Sequence, residues 1–256
     1  MKWVELDIPG DVAYILPIGD IHIGDRGFTK AGRKKLTGYL EWARAHQDST
    51  RVILLGDIFN VATRASKTSP FESTADEYQE ASAIFSPYKD LIIGAIDGNH
   101  EERALAFMGF SPLEGFCREL QIPYCGGSFV TRLRVGGRGV NHFRQTYFIY
   151  SHHTTGGGKS LGSALTRVEE LSRLVEGCDV YLGGHNHRLV TGVREIFLPS
   201  GAAHRCVARR IHYVSCGAYL EWDGSYAERG MYAPAKMGSP KVTFAGTKKH
   251  DVHVSI

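Results

Sequence analysis

The chain has 256 residues, 43% of them hydrophobic and 22% charged, with a formal net charge of +3. This is an ordinary globular composition, and its mild basicity permits an anionic substrate without requiring nucleic acid. No segment reaches the length of a membrane span, and the first residues contain no apolar signal region. We therefore expect a cytoplasmic protein without membrane contact.

Short apolar runs bounded by Gly or Asp predict buried strands. These runs are residues 12–19, 51–56, 91–96, 146–151 and 179–184. Apolar residues at helical spacing predict helices between and around them. The predicted helices are residues 29–46, 75–86, 112–120 and 162–176. Ser163 is the predicted N-cap of the last helix.

The C-terminal third, about residues 189–256, is β-rich, and residues 132–140 predict a hairpin that turns at Gly136–Gly137. No repeat, linker or change of composition divides the chain, so we predict one α/β domain over residues 1–256. Residues 225–240 are aromatic and rich in Pro and Gly. This leaves two alternatives for that segment, a cover over the active site or an interface.

The five cysteines are odd in number and contain no CxxC pair. This argues against structural disulfides and against a Cys-rich zinc site. We expect the cysteines to be small buried hydrophobic side chains.

Each predicted strand is followed directly by polar side chains. They are Asp20 and His22, then Asp57, then Asn99 and His100, then His152, then His185 and His187. A single such residue would usually be a cap or a hydrogen-bonded polar group. In α/β sheets, however, ligands collect beyond the carboxyl ends of the strands. Five strand ends that carry metal-binding side chains predict a metal site at one edge.

The spacing of these residues suits two divalent ions. Asp20 and His22 lie two positions apart, as do His185 and His187, so each pair points the same way from an extended backbone. Carboxylate with imidazole suits Mn, Fe or Zn better than Mg or Ca. Asp57, between the two groups, would bridge the ions, which at about 3.5–4 Å apart activate a phosphoryl group and a water. We predict Mn, with Fe, Zn, Ni or Mg as alternatives.

Five motifs occur in one order along the chain. They are GDIHIG (19–24), GDIFN (56–60), GNHE (98–101), SHH (151–153) and GHNH (184–187). Together they resemble the signature of the calcineurin-like metallophosphoesterases over residues 14–190. The resemblance implies an α/β fold of two packed mixed β-sheets flanked by helices.

The resemblance also implies residue roles. The first ion would be held by Asp20, His22 and His187, the second by Asn99, His152 and His185, with Asp57 shared. A metal-bridging hydroxide would attack phosphorus in line, without a covalent enzyme intermediate. His100 would stabilise the transition state or protonate the leaving oxygen.

Three further side chains are candidate substrate contacts. His153 points opposite to its neighbour His152 on an extended backbone, so support of the metal ligands, plain packing and substrate contact all stay open. Arg103 either clamps a phosphate or pairs with Glu101 or Glu102.

Lys159 is the third candidate. It lies in the Gly-rich segment TTGGGKS (154–160), which lacks the glycine spacing of a P-loop. The segment is either a substrate-facing loop at a helix N-terminus or a flexible connection. Asn60, at the end of GDIFN, is expected to orient a loop.

The predicted function is hydrolysis of phosphate esters, mainly phosphodiesters, by a dinuclear metal enzyme. The alternative is a DNA or RNA nuclease of the repair-exonuclease type, because basic residues are scattered along the chain. A phosphomonoesterase or protein phosphatase is less favoured, since GDIFN lacks the DRG ending of the Ser/Thr phosphatases. A non-catalytic scaffold is disfavoured because every motif position is filled. The expected partner is a phosphate-ester substrate, with nucleotides and nucleic acids among the candidates, and the oligomeric state is not indicated.

Overall fold

A computed structural model describes most of the chain. The described residues are 1–61, 73–137, 144–158, 160–201, 204–223, 228, 233–247 and 250–256. Within these ranges, none of the helices combines the length and apolar character that crossing a bilayer would need. Cys206 is exposed, whereas the other four cysteines are buried as expected.

Eleven strands of the described ranges form two mixed β-sheets. The larger sheet has the order β1 (Lys2–Ile8), β5 (Ser128–Gly136), β6 (Arg144–His152), β7 (Val180–Gly183), β9 (Arg205–Ser215) and β8 (Val190–Ser200). The smaller sheet has the order β11 (Val252–Ser255), β10 (Lys241–Ala245), β2 (Val12–Ile18), β3 (Thr50–Leu54) and β4 (Ile92–Ala95). Each sheet contains three neighbouring parallel strands, β2, β3 and β4 in one and β6, β7 and β9 in the other.

Helices cover the outer faces of both sheets. Four of them share a core with the smaller sheet: α1 (Lys30–Ala45), α2 (Thr74–Phe85), α3 (Asn99–Met108) and α4 (Pro112–Leu120). The fifth, α5 (Leu161–Glu170), packs Val168 against tyrosines of the larger sheet. The predicted fold class, two packed mixed sheets flanked by helices, is confirmed.

Alternation along the strands divides each sheet between two cores. In β2, Ala13 and Ile15 belong to the core between the sheets, whereas Leu16 and Ile18 face the helices. In β6, the odd-numbered positions from Tyr147 face the other sheet, and the even-numbered positions face α5. This follows from the two-residue period of a strand. It also decides which histidine beyond β6 can reach the region between the sheets.

The predicted strands and helices agree with the structure to within a few residues, apart from β1, which was not predicted, and three further differences. The polar segment that follows β4 begins α3, which the sequence analysis did not predict. The hairpin pairs Gly136 with Arg144, so its turn is longer than the predicted one, and residues 138–143 lie outside the described part. The N-cap of α5 is Ser160, not Ser163, and a short 3₁₀ turn over Leu171–Arg173 follows the helix.

Candidate active site

The parallel strands of both sheets end at one site, where their following loops place clustered metal-binding side chains. The three overlapping groups are Asp20 with His22 and His187, His22 with Asp57 and His100, and Asp57 with His153 and His185. Within each group one potential ligand atom per residue lies within 4.8 Å of the others. The site therefore brings together side chains from segments that are up to 167 positions apart in sequence, 20 to 187.

The amide of Asn99 joins the third group. Its Oδ1 lies 2.7 Å from His185 Nδ1 and 3.2 Å from His153 Nε2. His22 Nε2 and His187 Nε2 are 3.1 Å apart, and His22 Nε2 is 3.7 Å from Asp57 Oδ2. Imidazole nitrogens and carboxylate oxygens thus point toward common points.

Five of these residues have a left-handed backbone, which is uncommon for residues other than Gly. Their φ angles are 51° at Asp20, 52° at His22, 49° at Asp57, 74° at His185 and 53° at His187. Such conformations cost about 1–3 kcal/mol each and persist only where neighbouring contacts hold them. Strain concentrated on the ligand candidates is typical of a functional site.

Backbone hydrogen bonds hold the first two loops in this conformation. The nitrogens of Ile21 and His22 both donate to the carbonyl of Asp57, at 2.9 and 3.0 Å, and Ile23 donates to Ile58 at 2.9 Å. The loops after β2 and β3 therefore run side by side beyond the end of the sheet.

Gly56 and Gly98 allow these loops to approach the third one. A Cβ at Gly98 would overlap the Asp57 carboxylate, and a Cβ at Gly56 would overlap the backbone of Gly98. The φ of Gly98 is −102°, which any residue can adopt, so its smallness and not its flexibility is what the site requires.

Glu101 is a supporting residue that the sequence analysis missed. Its fully buried carboxylate accepts hydrogen bonds from the nitrogens of Asp57, Ile58, Phe59 and Gly98, at 2.8 to 3.0 Å. Burial raises the pKa of Glu101 to about 7, and the nearby Asp57 carboxylate adds to this shift. Its position three residues after Gly98, as in a capping box, is the signal that could have identified it.

The histidine beyond β6 that enters the cluster is His153, and the prediction of His152 requires correction. His153 Nε2 lies 3.3 Å from Asp57 Oδ2, and its ring is almost fully buried. His152 is half-buried on the α5 side, and its Nδ1 accepts from the nitrogen of Thr154 at 2.8 Å. The alternation of β6 explains the exchange, because odd-numbered positions face the space between the sheets.

The orientation of His153 is set by a backbone carbonyl. Its Nδ1 lies 2.6 Å from the carbonyl oxygen of Leu55, to which it donates. This leaves Nε2 to face Asp57 and Asn99, an arrangement that metal-binding histidines commonly show. Burial alone would disfavour the imidazolium of His153, but the carboxylates of Asp57 and Asp20 raise its pKa to about 10.

The pKa values of the two central carboxylates, Asp20 and Asp57, are shifted in opposite directions. Burial raises the pKa of Asp20 to about 8. Burial has the same tendency at Asp57, but the charge and hydrogen bond of His153 hold the pKa of Asp57 well below its usual range. Two buried carboxylates that share one imidazolium have too little positive charge nearby. Divalent ions would supply it, and the oxygen and nitrogen donors fit ions such as Mn²⁺ or Zn²⁺.

His100 lies beside the cluster with one nitrogen already engaged. Its Nδ1 is 2.5 Å from the carbonyl oxygen of Asn60, and its backbone nitrogen donates to Asp57 Oδ1 at 2.8 Å. Burial lowers the pKa of His100. Because Nδ1–H donates to Asn60, Nε2 is the nitrogen that faces His22 and Asp57.

Arg103 lies behind His100 and does not line the cavity described below. Its Nη2 is 2.8 Å from His100 Nδ1 and 3.3 Å from the Asn60 carbonyl oxygen. Within the described ranges it forms no ion pair with Glu101 or Glu102, one of the two alternatives that the sequence left open. Arg103 instead donates to the Asn60 carbonyl oxygen, which also accepts from His100 Nδ1.

A cavity of about 170 Å³ opens beside the cluster. On one side it is lined by predicted site residues: His22, Asp57, Asn99, His100, His185 and His187. Gly157 and Gly158 of the Gly-rich loop also line it, whereas Lys159 lies outside the described residues. Residues of the segments 218–222 and 233–237 also line the cavity. The described part of the segment 225–240 therefore borders the site.

Comparison with known proteins gave matches in structure alone. No protein-family model matches the chain, and no curated protein matches it in sequence.

Three solved structures illustrate the structural matches. NAD nucleotidase (NadN) of Haemophilus influenzae is 13% identical with a TM-score of 0.47, over 96% of this chain and 49% of that one. Yfce, a phosphoesterase from E. coli, is 14% identical with a TM-score of 0.41, over 90% and 87%. Calcineurin-like phosphoesterase YfkN from Bacillus subtilis is 12% identical with a TM-score of 0.38, over 80% and 91%. At these values, any functional assignment depends on the motifs and the geometry of the site.

Proposed function

We propose that this chain is a calcineurin-like metallophosphoesterase that hydrolyses phosphodiesters with two divalent metal ions. The observation that carries the proposal is the meeting of two buried carboxylates, one amide and several imidazoles at one site. These side chains come from the five motifs in the order that the family resemblance implies. Their strained backbones and shared hydrogen bonds support a site built for ions.

Two of the three groups, together with Asn99, give the proposed ligand sets. One ion would be held by Asp20, His22 and His187, the other by Asn99, His153 and His185, with Asp57 shared. This set differs from the sequence prediction only in the exchange of His153 for His152. Mn²⁺ is the ion we propose, because mixed carboxylate, amide and imidazole donors suit it. When bound, the ions would polarise the phosphoryl oxygens and supply a nucleophilic water at neutral pH.

His100 is placed to handle the proton of the leaving group. In the hydrolysis a bond forms between phosphorus and the water oxygen, and the bond from phosphorus to the leaving oxygen breaks. The water loses a proton and the leaving oxygen gains one. His100 Nε2 would take up a proton and pass it to the leaving oxygen, since in the neutral ring Nδ1–H is held by the Asn60 carbonyl and Nε2 is left to accept one.

A nuclease is the second candidate function. Arg26, Lys30 and Arg33 line a further cavity of about 460 Å³ beside Gly24 and Asp25, at the end of the loop that carries Asp20 and His22. A cationic wall so close to the cluster would suit the backbone of a nucleic acid. Glu80 pairs with Arg33 there and reduces the positive charge.

The test combines metal analysis with hydrolysis of bis-p-nitrophenyl phosphate in the presence of Mn²⁺. We expect two ions per chain and metal-dependent release of nitrophenol. His153→Gln should abolish binding of the second ion, and the matched control His152→Gln should keep both ions. A panel of single-stranded DNA, double-stranded DNA, RNA, cyclic nucleotides and nucleotide monoesters separates the two functions. Absence of hydrolysis with every divalent ion tried would refute both.

A further inference from the structure

Two segments of the C-terminal third form a wall of the cavity beside the proposed ions. Residues 218–222 contribute Leu220, Glu221 and Trp222, and residues 233–237 contribute Lys236 and Met237. None of these side chains belongs to the five motifs. They border the space in which the part of the substrate beyond the reacting phosphate would lie.

The second segment, which we call the strap (residues 233–239), is fixed in two places. At its beginning, Arg188 Nη1 donates to the carbonyl oxygens of Ala233 and Pro234, at 2.8 and 3.3 Å. Arg188 directly follows the metal-ligand candidate His187 and is almost fully buried. The strap is therefore connected to the loop that carries two ligand candidates.

The end of the strap is bonded to the other wall segment. The nitrogen of Gly238 donates to the carbonyl of Ala218 at 3.0 Å, and Ser239 Oγ lies 2.7 Å from the hydroxyl of Tyr219. Gly238 has a φ of 127°, which strongly favours glycine. With both ends fixed, Lys236 and Met237 are held at the cavity wall.

The chemistry of this wall is specific in three respects. Lys236 is a cation that can hold an anionic phosphate oxygen. Trp222 offers an aromatic ring, next to the aliphatic Leu220 and Met237, for a planar apolar group. The carboxylate of Glu221 accepts hydrogen bonds, so it suits a substrate that carries hydroxyl or amino groups. A plain alkyl ester has no donor for this carboxylate.

We propose that this wall is a nucleoside subsite, so that the substrate of the site is a nucleotide ester. Trp222 stacks on the base, Glu221 accepts from hydroxyl or amino groups, and Lys236 holds a phosphate oxygen. The inference rests on the proposed function for the position of the reacting phosphate. The strap and residues 218–222 border the cavity next to the proposed ions, which is the position that a nucleoside attached to the reacting phosphate would take.

Calorimetric binding of small phosphates tests the subsite without turnover. The probes are adenosine 5′-monophosphate, ribose 5-phosphate and inorganic phosphate, titrated into the full chain with Mn²⁺ and with a chelator. We expect the adenine nucleotide to bind more tightly than ribose 5-phosphate. Trp222→Leu should weaken binding of the adenine nucleotide about tenfold and leave ribose 5-phosphate unchanged, because base stacking is lost.

Lys236→Gln is the complementary variant. It should weaken the binding of adenosine 5′-monophosphate and of ribose 5-phosphate by the same factor, about fivefold, because both ligands carry the phosphate. Circular dichroism of each variant checks that the fold is retained, and fluorescence of Trp222, compared with the Trp222→Leu chain, gives a second readout of base stacking.

Two outcomes separate this inference from the proposed function. If bis-p-nitrophenyl phosphate is hydrolysed but adenosine 5′-monophosphate and ribose 5-phosphate bind equally in the wild type and in Trp222→Leu, the nucleoside subsite is wrong and the phosphoesterase stands. If the adenine preference and its loss in Trp222→Leu are seen without hydrolysis of any ester, the subsite stands and the phosphoesterase fails.

Discussion

Metal binding at this site should release protons and should strengthen as the pH rises. In the metal-free protein the carboxylates of Asp57 and Asp20 raise the pKa of His153 to about 10, and burial raises the pKa of Asp20 to about 8. Both groups must lose their proton before they bind an ion. The pKa values of His22, His185 and His187 are lowered, mainly by burial, so these imidazoles bring no proton at pH 7.

The magnitude follows from the distance of each pKa from the working pH. At pH 7, removal of the His153 proton costs about 4 kcal/mol, since one pKa unit corresponds to about 1.4 kcal/mol. Each titrating proton adds about a tenfold gain in affinity per pH unit until its pKa is passed. We therefore expect metal binding to release between one and two protons per chain near pH 7. Over the range of about pH 8 to 10 the number should be close to one.

Calorimetry in buffers of different ionisation enthalpy measures the number of protons released. His153→Gln should change the number of protons released, because it removes the titrating imidazolium and with it the charge that keeps the pKa of Asp57 low, whereas His152→Gln should match the wild type. An affinity for Mn²⁺ that is independent of pH between about 6 and 9, with no proton released, would refute the paired carboxylate and imidazolium arrangement.

Three substitutions test other parts of the site. Asp57→Asn should weaken the binding of both ions at least about 100-fold, because the shared negative ligand is removed. Two ions at full occupancy by metal analysis would contradict this. His100→Ala should keep both ions but lower turnover about 10²–10⁴-fold, with the largest loss for esters that have poor leaving groups. Steady-state assays compare activated and unactivated esters. Equal losses on both would exclude the proton-donor role. Glu101→Gln should lower the free energy of unfolding by about 2 kcal/mol, because the Glu101 carboxylate accepts hydrogen bonds from four backbone nitrogens. Urea denaturation measures this, with Glu102→Gln at the exposed neighbouring position as the control. Equal stability of the two variants would contradict the role of Glu101.

The cluster of candidate metal ligands could be predicted in part because its residues lie directly after apolar strands. Asp20 and Asp57 follow neighbouring parallel strands of one sheet, whose ends meet at one edge, and His185 follows a parallel strand of the other sheet. The order of the motifs added the assignment of Asn99 and His187. That the ends of the two sheets meet at one site was implied by the family resemblance and not by the strands themselves.

The exchange of His152 for His153 shows where this reasoning stops. Alternation along β6 places adjacent residues on opposite faces, but only packing decides which face meets the other sheet. Tyr147 and Ile149 face the core between the sheets, whereas Phe148 and Tyr150 are equally apolar and face α5. Because both faces of β6 are buried, hydrophobicity could not distinguish them.

Side chains that hydrogen-bond to the backbone of distant loops could not be predicted either. Glu101 looks like one more charge in a polar segment, yet it is fully buried and bonded to two loops. Arg188 and the strap meet only in the folded chain, 45 positions apart. Contacts of this kind depend on tertiary geometry and leave no periodic signal in the sequence.

The central claim is that loops from two sheets enclose two ions that share Asp57. A crystal structure of the protein grown with Mn²⁺, with anomalous scattering measured at the manganese edge, tests it most directly. We expect two peaks about 3.5–4 Å apart, with Asp57 between them and His153 bound to one. A single peak, no peak, or an ion bound by His152 in place of His153 would contradict it.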